Sequence, residues 1–516
     1  MNLETVLYKI RKGESSFWRK VKRILHFAII FNFSAPRIVF RPIYEKTEFL
    51  KNCLRLFKNK YVPFYTIGFF YQTLILIFII PLANANSPPA EFPLPLYVGW
   101  ASVDITPTKP VALAGQMHKR ISKSVHDPLY ATVLALETRR EDGEKEQAIL
   151  ISCDLLFVPR STQEKLKELV KTRLPDFNIE KLFMNATHTH TGPLTQETYA
   201  RWFDMSQDEG LLQPAEYKDF FLARVTDGVV QAWQTRRPGG VSWALGQAVI
   251  GYNRRAVYAD GRSVMYGSTA DPGFRYIEGP EDHGLELLFF WNKEEKLTGL
   301  VINVACPAQV SERENFVSAD FWHEIREEIR KKYGEGTFVL PQVAAAGDQS
   351  PHLRWRKKAE QIMLQRKGIS RRQEIALRIV RGIEEVLPYA KNDIKTQLVF
   401  KHTTVRIDLP IRTPPSPPAG DVDPVPIEVH ILRLEEIAMA TNPFELFLDY
   451  GIRIKARSKA TLTLVVQLSS QKNGYLPTAR AVKGGGYSAE RYLVDPEGGD
   501  VLVDETVKHI NAMWEP

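Results

Sequence analysis

Two apolar segments separated by a helix-forming segment restrict the fold of this chain more than any other feature. Residues 147–158, QAILISCDLLFV, form a continuous apolar run of the kind found in strands that are buried on both faces. The segment 161–174 favours a helix, and KLFMNATHTH at 181–190 indicates a second strand. A strand, a helix and a strand in this order predict a βαβ unit with parallel strands. The predicted fold class is therefore α/β, with a mixed-sheet domain that contains βαβ units.

The carboxyl ends of these two strands mark a candidate site. Asp154 follows the core of the first strand, and His188 lies near the end of the second. In open α/β sheets, ligands collect at this edge. His190 is two residues beyond His188, and alternate residues of a strand point to the same face, so we expect both imidazoles on one face. One imidazole can bind a metal while the other polarises a substrate; a structural or surface histidine pair is the alternative interpretation.

An uncharged apolar run precedes this domain. Residues 63–82, PFYTIGFFYQTLILIFIIPL, have about the length of a helix that spans a bilayer. Basic residues lie upstream, and Ala83 and Ala85 form an Ala-x-Ala pattern directly after the run. The pattern predicts a signal peptide or membrane anchor at residues 63–85. The domain that follows would then lie outside the cytoplasm, in a periplasmic, secreted or membrane-anchored protein.

Composition suggests the remaining divisions of the chain. Residues 1–62 form a basic tail, residues 86–96 a Pro-rich linker, and residues 97–516 the folded domain. Much of the net charge of +8 belongs to the tail, so the domain itself is not expected to offer a basic groove for nucleic acid. The chain has three cysteines, and a disulfide framework is therefore not what stabilises the fold.

A second polar turn follows an apolar run at residues 344–352, AAAGDQSPH. It places Asp348, Ser350 and His352 just beyond a buried segment. A nucleophilic serine requires a base and an oxyanion hole, and no Gly-x-Ser-x-Gly pattern surrounds Ser350, so the α/β-hydrolase interpretation is not supported. Capping of a turn by Asp348 and Ser350 is the simpler alternative.

From Tyr97 to near its end, the chain resembles the N-terminal catalytic domain of the neutral/alkaline (non-lysosomal) ceramidases. The resemblance rests on sequence blocks that occur in the same order: VGWASVDITP, ATHTHTGP, GYNRR, VACPAQVSE, AAAGDQSP, NPFELFLDYGIRI and NGYLPTARAVKGGGY. THTHTGP and GDQSP are the most specific of them. In that family, a zinc ion held by two histidines, a glutamate and a tyrosine activates water against an amide bond.

The resemblance implies a set of metal ligands. His188 corresponds to the first zinc histidine, Glu445 to the glutamate and Tyr475 to the tyrosine. At the second zinc histidine this chain has Cys306, and because a thiolate is a good zinc ligand the site could keep its metal. An inert buried cysteine is the alternative, in which case His323 is a candidate for the missing ligand.

The resemblance also implies four catalytic residues. His190 would stabilise the developing oxyanion, and Tyr487 would hydrogen-bond the reacting centre. Arg254 matches the active-site arginine, and Ser350 matches the serine of the GD-x-SP block. Glu445 or Asp348 could supply the acid that protonates the leaving amine.

The function expected from the resemblance is that of a zinc-dependent amidohydrolase of the N-acylsphingosine amidohydrolase type. Its cofactor would be Zn²⁺, and its substrate would be ceramide or a related N-acyl lipid, met at a membrane surface. Two alternatives stay open: an esterase or deacylase for another acyl substrate, and a metal-free binding protein that retains the fold.

Overall fold

The structure is a computed structural model that describes residues 93–515 except 141–142, 144, 196–202, 204, 206–207, 414–422 and 424. The basic tail, the apolar run at 63–82 and most of the Pro-rich linker lie outside the described residues, and so does the predicted signal or anchor. Within the described part, no helix combines the length and the apolar character needed to cross a membrane.

A nine-stranded mixed sheet forms the centre of the domain. Its strands follow the spatial order β14-β12-β11-β6-β1-β3-β4-β5, with β16 added beside β1. Two of its pairs, β4 with β5 and β12 with β14, are parallel, and the other pairs are antiparallel. The strands are β1 (Leu94–Asp104), β3 (Tyr130–Arg139), β4 (Lys145–Cys153), β5 (Leu182–Ala186), β6 (Arg237–Gln247), β11 (Gly284–Asn292), β12 (Leu297–Val304), β14 (Phe338–Val343) and β16 (Gln397–Leu398).

A four-stranded sheet in the order β17-β18-β19-β21 packs against one face of the large sheet. Its strands are β17 (Phe400–Ile407), β18 (Ile427–Leu434), β19 (Ile437–Thr441) and β21 (Leu462–Val466). Alternation along the strands builds this contact: Leu134 and Leu136 of β3 face the smaller sheet, whereas Val133 and Ala135 face away from it.

Helices cover the outer face of each sheet. The outer face of the large sheet packs with helices α1, α2, α3 and α5, and the outer face of the smaller sheet packs with α6 and α9, giving a four-layer helix–sheet–sheet–helix arrangement. The helices are α1 (Arg160–Arg173), α2 (Pro214–Gln234), α3 (Phe321–Tyr333), α4 (Lys357–Lys367), α5 (Arg371–Ala390), α6 (Leu448–Arg457), α7 (Ala479–Gly484), α8 (Tyr487–Glu490) and α9 (Pro496–Ala512), with 3₁₀ turns at Ile179–Lys181 and Lys391–Asp393.

The predicted βαβ unit is confirmed. Strands β4 and β5 are parallel and in register from Ile149 with Leu182 to Cys153 with Ala186, and α1 connects them. Asp154 follows β4 directly, but its buried carboxylate serves the fold, because the Arg326 guanidinium donates to both of its oxygens over 2.7 and 3.0 Å.

Short strand pairs bring distant parts of the chain to the edge where β5 ends. β20 (Glu445–Leu446) pairs in parallel with β22 (Tyr475–Leu476), and β7 (Tyr252–Asn253) pairs with β15 (Gln349–Ser350). The remaining short strands are β2 (Ser124–Val125), which pairs with β13 (Phe316–Val317), and β9 (Ser263–Met265) and β10 (Phe274–Ile277), which flank β8 (Arg255–Tyr258).

Candidate active site

A cavity of about 380 Å³ lies at this edge of the large sheet. Six residues singled out from the sequence line it, namely His188, His190, Arg254, Glu445, Tyr475 and Tyr487. Two that were singled out with them, Ser350 and Cys306, are not among its lining residues. The volume falls in the range of pockets that bind small molecules.

His188 lies in the loop that follows β5 rather than on a strand. Strand β5 ends at Ala186, and His188 has a left-handed backbone with φ of 62°, which is uncommon for a residue other than glycine. The expectation that two strand positions align the imidazoles was therefore wrong in its cause, although the His188 and His190 ring centroids are 4.9 Å apart. Nδ1 of His188 contacts the carbonyl oxygen of Leu156 at 2.9 Å, so its Nε2 is directed at Glu445, with 3.4 Å to Oε2.

Glu445 and Tyr475 face the cavity together because β20 and β22 place them opposite each other. Burial alone would raise the pKa of Glu445, but His188 and Arg254 lower it, so the carboxylate is ionised. Burial, reinforced by the charge of Glu445, raises the pKa of Tyr475 well above its usual value. The protonated phenol of Tyr475 donates a hydrogen bond to Glu445.

Arg254 connects the groups of the site. Its guanidinium donates to the carbonyl oxygen of Gly347 at 2.8 Å and to the hydroxyls of Tyr266 at 3.1 Å and Tyr475 at 3.3 Å. Burial alone would lower the pKa of Arg254, but the neighbouring phenols of Tyr266 and Tyr475 raise it above its usual range. Arg254 is therefore a permanent buried cation beside Glu445.

Sequence reasoning missed two members of this network, Gln309 and Tyr266. Oε1 of Gln309 accepts from Arg254 at 3.3 Å and from the Tyr266 hydroxyl at 3.4 Å, which fixes the orientation of the amide. Its Nε2 then donates to Nε2 of His190 at 2.8 Å. Gln309 lies within VACPAQVSE, three residues beyond Cys306, so its position in that block could have marked it; nothing in the sequence marks Tyr266.

His190 is neutral and carries its proton on Nδ1. Burial, followed by the neighbouring His188, lowers its pKa well below the usual value. Because Gln309 donates to Nε2, the proton must be on Nδ1, a buried atom that has no hydrogen-bond partner among the described residues. The oxyanion role assigned to His190 stays a prediction, and at Nε2 it would require Gln309 to move.

Tyr487 is placed to donate to a group in the cavity. Its ring packs edge-on against the Tyr475 ring, with 5.7 Å between the centroids. Burial, followed by the nearby charge of Glu445, raises the pKa of Tyr487, so its hydroxyl keeps its proton.

Ser350 and Asp348 lie behind the cavity wall. Oγ of Ser350 lies 3.2 Å from the Tyr266 hydroxyl oxygen and accepts from the backbone N–H of His352 at 3.1 Å. Neither partner is a base that could take its proton, so this geometry does not prepare a nucleophile. Asp348 is buried and accepts from the Asn253 amide at 2.7 Å and from the first backbone N–H of α6 at 3.0 Å. It holds two chain segments together and does not line the cavity.

Cys306 does not join the predicted ligand set. Its side chain is fully buried in the apolar core beside α3 and α5, and its sulfur lies 3.5 Å from the carbonyl oxygen of Ile250. Burial raises the pKa of the thiol. His323, the other candidate, lies on α3 and does not line the cavity either.

The donors that remain fit a zinc ion with three protein ligands. No three His, Cys, Asp or Glu side chains gather in a metal-binding group within the described part of the chain, because the third donor here is the phenol of Tyr475. The 3.4 Å between Nε2 of His188 and Oε2 of Glu445 equals the separation of about 3.4 Å between two ligands at ~2.1 Å from a tetrahedral zinc. The Leu156 carbonyl holds His188 in the manner common for metal-binding histidines.

Two solved structures share this fold. A neutral ceramidase from Pseudomonas aeruginosa superposes with a TM-score of 0.64 at 15% identity, over 81% of this chain and 74% of that one. A ceramidase complexed with C2 gives a TM-score of 0.62 at 15% identity, over 81% and 75% of the two chains. A scan against protein-family models and a search of curated proteins found no match. The resemblance inferred from the sequence blocks is thus confirmed at the level of the fold.

Proposed function

We propose that this chain, which shares the fold of the neutral ceramidases, is a zinc-dependent amidohydrolase that cleaves the N-acyl bond of ceramide or a related N-acyl lipid. The observation that carries the proposal is the group of His188, Glu445 and Tyr475 in one cavity. Three side chains from separate parts of the chain converge there with donor atoms that zinc accepts, and two of these atoms, Nε2 of His188 and Oε2 of Glu445, are 3.4 Å apart.

The wall of the cavity supports a substrate with an apolar chain. Apolar and aromatic side chains line it beside the polar group, namely Leu156, Phe157, Phe203, Met265, Leu468, Tyr492 and Leu493. Pockets for lipids and other small molecules combine such a lining with a few polar groups that fix orientation. An acyl chain could lie on this surface while its amide faces His188 and Glu445.

The residues of the site divide the work of amide hydrolysis. When bound, zinc would supply a Lewis acid and lower the pKa of a bound water. Arg254 keeps Glu445 ionised and holds the Tyr475 hydroxyl in place. Tyr487 keeps its proton and can donate to the oxyanion that develops on the substrate carbonyl. We assign this role to Tyr487 because Gln309 already occupies Nε2 of His190.

The place of action is part of the proposal. A lipid substrate, together with the apolar run at residues 63–82, supports a protein that is exported and works at a membrane surface.

Metal content measured together with lipid amidase activity tests the proposal. We expect about one zinc per full-length chain and release of sphingosine from ceramide, both lost in His188→Ala. Cys306→Ala is the matched control: because its thiol lies outside the cavity, this variant should keep zinc and activity.

The other outcomes assign other functions. Zinc with activity on short acyl esters but none on ceramide would indicate the esterase or deacylase. No zinc in the parent chain would overturn the hydrolytic mechanism and leave the metal-free binding protein. Zinc lost in Cys306→Ala as well would show that the thiol takes part after all.

A further inference from the structure

Helix α4 stands out on the surface of the domain. None of its residues is buried, although the segment from Trp355 onward contains several large apolar side chains. Trp355, Ile362 and Met363 are exposed over 37, 37 and 47% of their area. Exposed apolar side chains grouped in this way mark interaction sites more often than scattered ones do.

Ile362 and Met363, two of the three large apolar side chains of α4, lie on the outward side of the helix. An α-helix turns by about 100° per residue, so Ala359, Ile362, Met363 and Arg366 share one side of it. The opposite side borders an open groove toward the start of α5, lined by Lys357, Glu360, Gln361, Leu364 and Gln365. The groove side is turned to the protein, and Ile362 and Met363 are turned outward.

Basic residues surround this apolar stripe. Residues 354–367, RWRKKAEQIMLQRK, contain six Lys and Arg and one acidic residue, Glu360. The Glu360 carboxylate pairs with Arg371 on the groove side, so it does not offset charge on the outward side. By the same 100° rule, Lys358 and Lys367 flank the stripe on its two sides. The Lys367 ammonium also donates to the Glu374 carboxylate of α5 at 2.7 Å, so part of its charge is offset.

The segment that leads into α4 contacts the wall of the candidate site. The Arg354 guanidinium lies 5.3 Å from the centroid of the Tyr266 ring and donates to the Gly267 carbonyl at 2.7 Å. Tyr266 lines the cavity. Whatever α4 binds is therefore held close to the cavity wall.

We propose that α4 and Trp355 form a docking element for an anionic lipid surface. An apolar stripe with basic residues on both sides is the arrangement of helices that lie in the bilayer interface, where apolar side chains enter the acyl region and basic heads reach the phosphates. Tryptophan is favoured at the same depth. An acidic protein surface would match the charge but not the outward Ile362 and Met363. The docking element does not depend on the hydrolytic activity proposed above.

A fluorescent label on α4 tests the proposal in the full-length chain. An environment-sensitive dye is attached at Ile362→Cys in a Cys53→Ser background, since Cys153 and Cys306 are buried. The reference label is at Ile452→Cys on α6, a site of similar exposure at 36%. With phosphatidylcholine–phosphatidylglycerol vesicles, we expect a blue shift at position 362, none at 452, and reversal by high salt.

A double charge-reversal variant tests how much the basic residues contribute to vesicle binding. Lys358→Glu with Arg366→Glu should weaken vesicle binding measured by the 362 label at least about thirtyfold, from roughly 1 kcal/mol per basic residue near an anionic surface. Lys171→Glu with Lys331→Glu changes the net charge equally on other helices and should leave binding unchanged.

Four results would overturn the proposal. The first is an unchanged emission spectrum of the dye at position 362 when anionic vesicles are added. The second is an equal blue shift with vesicles of phosphatidylcholine alone. The third, a shift without vesicles that grows with protein concentration, would assign the face to a second copy of the chain. The fourth, a shift with poly-glutamate but none with vesicles, would assign it to an acidic protein.

Discussion

Arg254 and Gln309 set the protonation of the groups around them. Arg254 orients the amide of Gln309, and Gln309 in turn places a donor on Nε2 of His190. The Arg254 cation therefore determines, through the amide of Gln309, which ring nitrogen of His190 carries the proton.

Replacing Gln309 with Leu should uncouple this network. The change removes one acceptor shared by the buried donors of Arg254 and Tyr266, so we expect about 1–3 kcal/mol lower free energy of unfolding. ¹⁵N NMR of His190, which should show Nδ1–H in the parent, should show a mixture of tautomers in the variant. Gln361→Leu at an exposed position of α4 is the control; an unchanged His190 spectrum in Gln309→Leu would contradict the assignment.

Gly115 is required by the imidazole of His190. Its φ of 99° favours glycine, and an added Cβ would lie 2.5 Å from Cγ of His190. Gly115→Ala should therefore cost more than the ~1 kcal/mol of backbone strain and should displace the ring. Gly261→Ala isolates the backbone part, because Gly261 has a φ of 86° and no atom within 4 Å of its added Cβ. Equal losses of stability in the two variants, by urea unfolding, would refute the clash.

Single-residue patterns predicted part of the site. His188, Glu445 and Tyr475 do come together in one cavity. Their positions could be predicted because each lies in a sequence block shared with the ceramidases. Cys306 occupies the expected place in the sequence, but the direction of its side chain is decided by the packing between the sheet and α3, which no local pattern records. Tyr266 has a left-handed backbone with φ of 57°. This conformation cannot be predicted from the residue type, so the sequence did not indicate that Tyr266 lies at the site.

At the level of elements, one partly buried carboxylate connects helix α1 to strand β18. Glu428 of β18 accepts from Gln163 at 2.8 Å and Lys167 at 3.2 Å, both on α1. His430 of the same strand lies 3.0 Å from Glu428 and also contacts His402 of β17 at 3.0 Å. Although burial alone would raise it, His430 and Lys167 lower the pKa of Glu428 to about 2.

Acid should loosen this connection. A carboxylate with a lowered pKa stabilises the fold above its ordinary pKa of 4.5, and the stabilisation is lost as the pH falls from 4.5 toward 2. By linkage, about 2 kcal/mol disappears between pH 7 and pH 3. Burial lowers the pKa values of His402 and His430, so these histidines add to the loss below their ordinary pKa of 6.5.

Glu428→Gln isolates the contribution of the carboxylate. The variant keeps the shape of the side chain but cannot titrate, so its free energy of unfolding should fall about 2 kcal/mol less between pH 7 and pH 3 than that of the parent. Other acidic groups change equally in both proteins. Identical pH dependences in urea titrations would show that Glu428 is not ionised in the fold.

At the scale of the whole molecule, the proposed zinc should couple to stability. Free zinc at a hundred times its dissociation constant would add about 2.7 kcal/mol, which raises the melting temperature by a few degrees in a domain of this size. We expect a chelator to remove this increment from the parent and from Cys306→Ala, and to have no effect on His188→Ala. A chelator effect that persists in His188→Ala would place the metal elsewhere.

The four-layer architecture was less predictable than the βαβ unit. The run at 147–158 was recognised as a strand buried on both faces, which is correct for β4. Such a run looks the same whether a helix or a second sheet covers it, so the packing of the two sheets could not be read from it. Strand order in the large sheet, where β6 lies between β1 and β11, depends on long-range pairing that local patterns do not encode.

The pairing of Glu445 with Tyr475 has a consequence for the synthesis of the protein. About 290 residues separate His188 from Tyr475, and at ~5–20 residues per second a ribosome needs roughly 15–60 s to produce them. During that interval, every strand of the large sheet up to β14 can already leave the ribosome, while the pocket still lacks two of its three donors. A nascent chain stalled before residue 445 should therefore fold much of its first sheet yet take up no zinc, so loading of the proposed metal would be a late event in the life of each molecule.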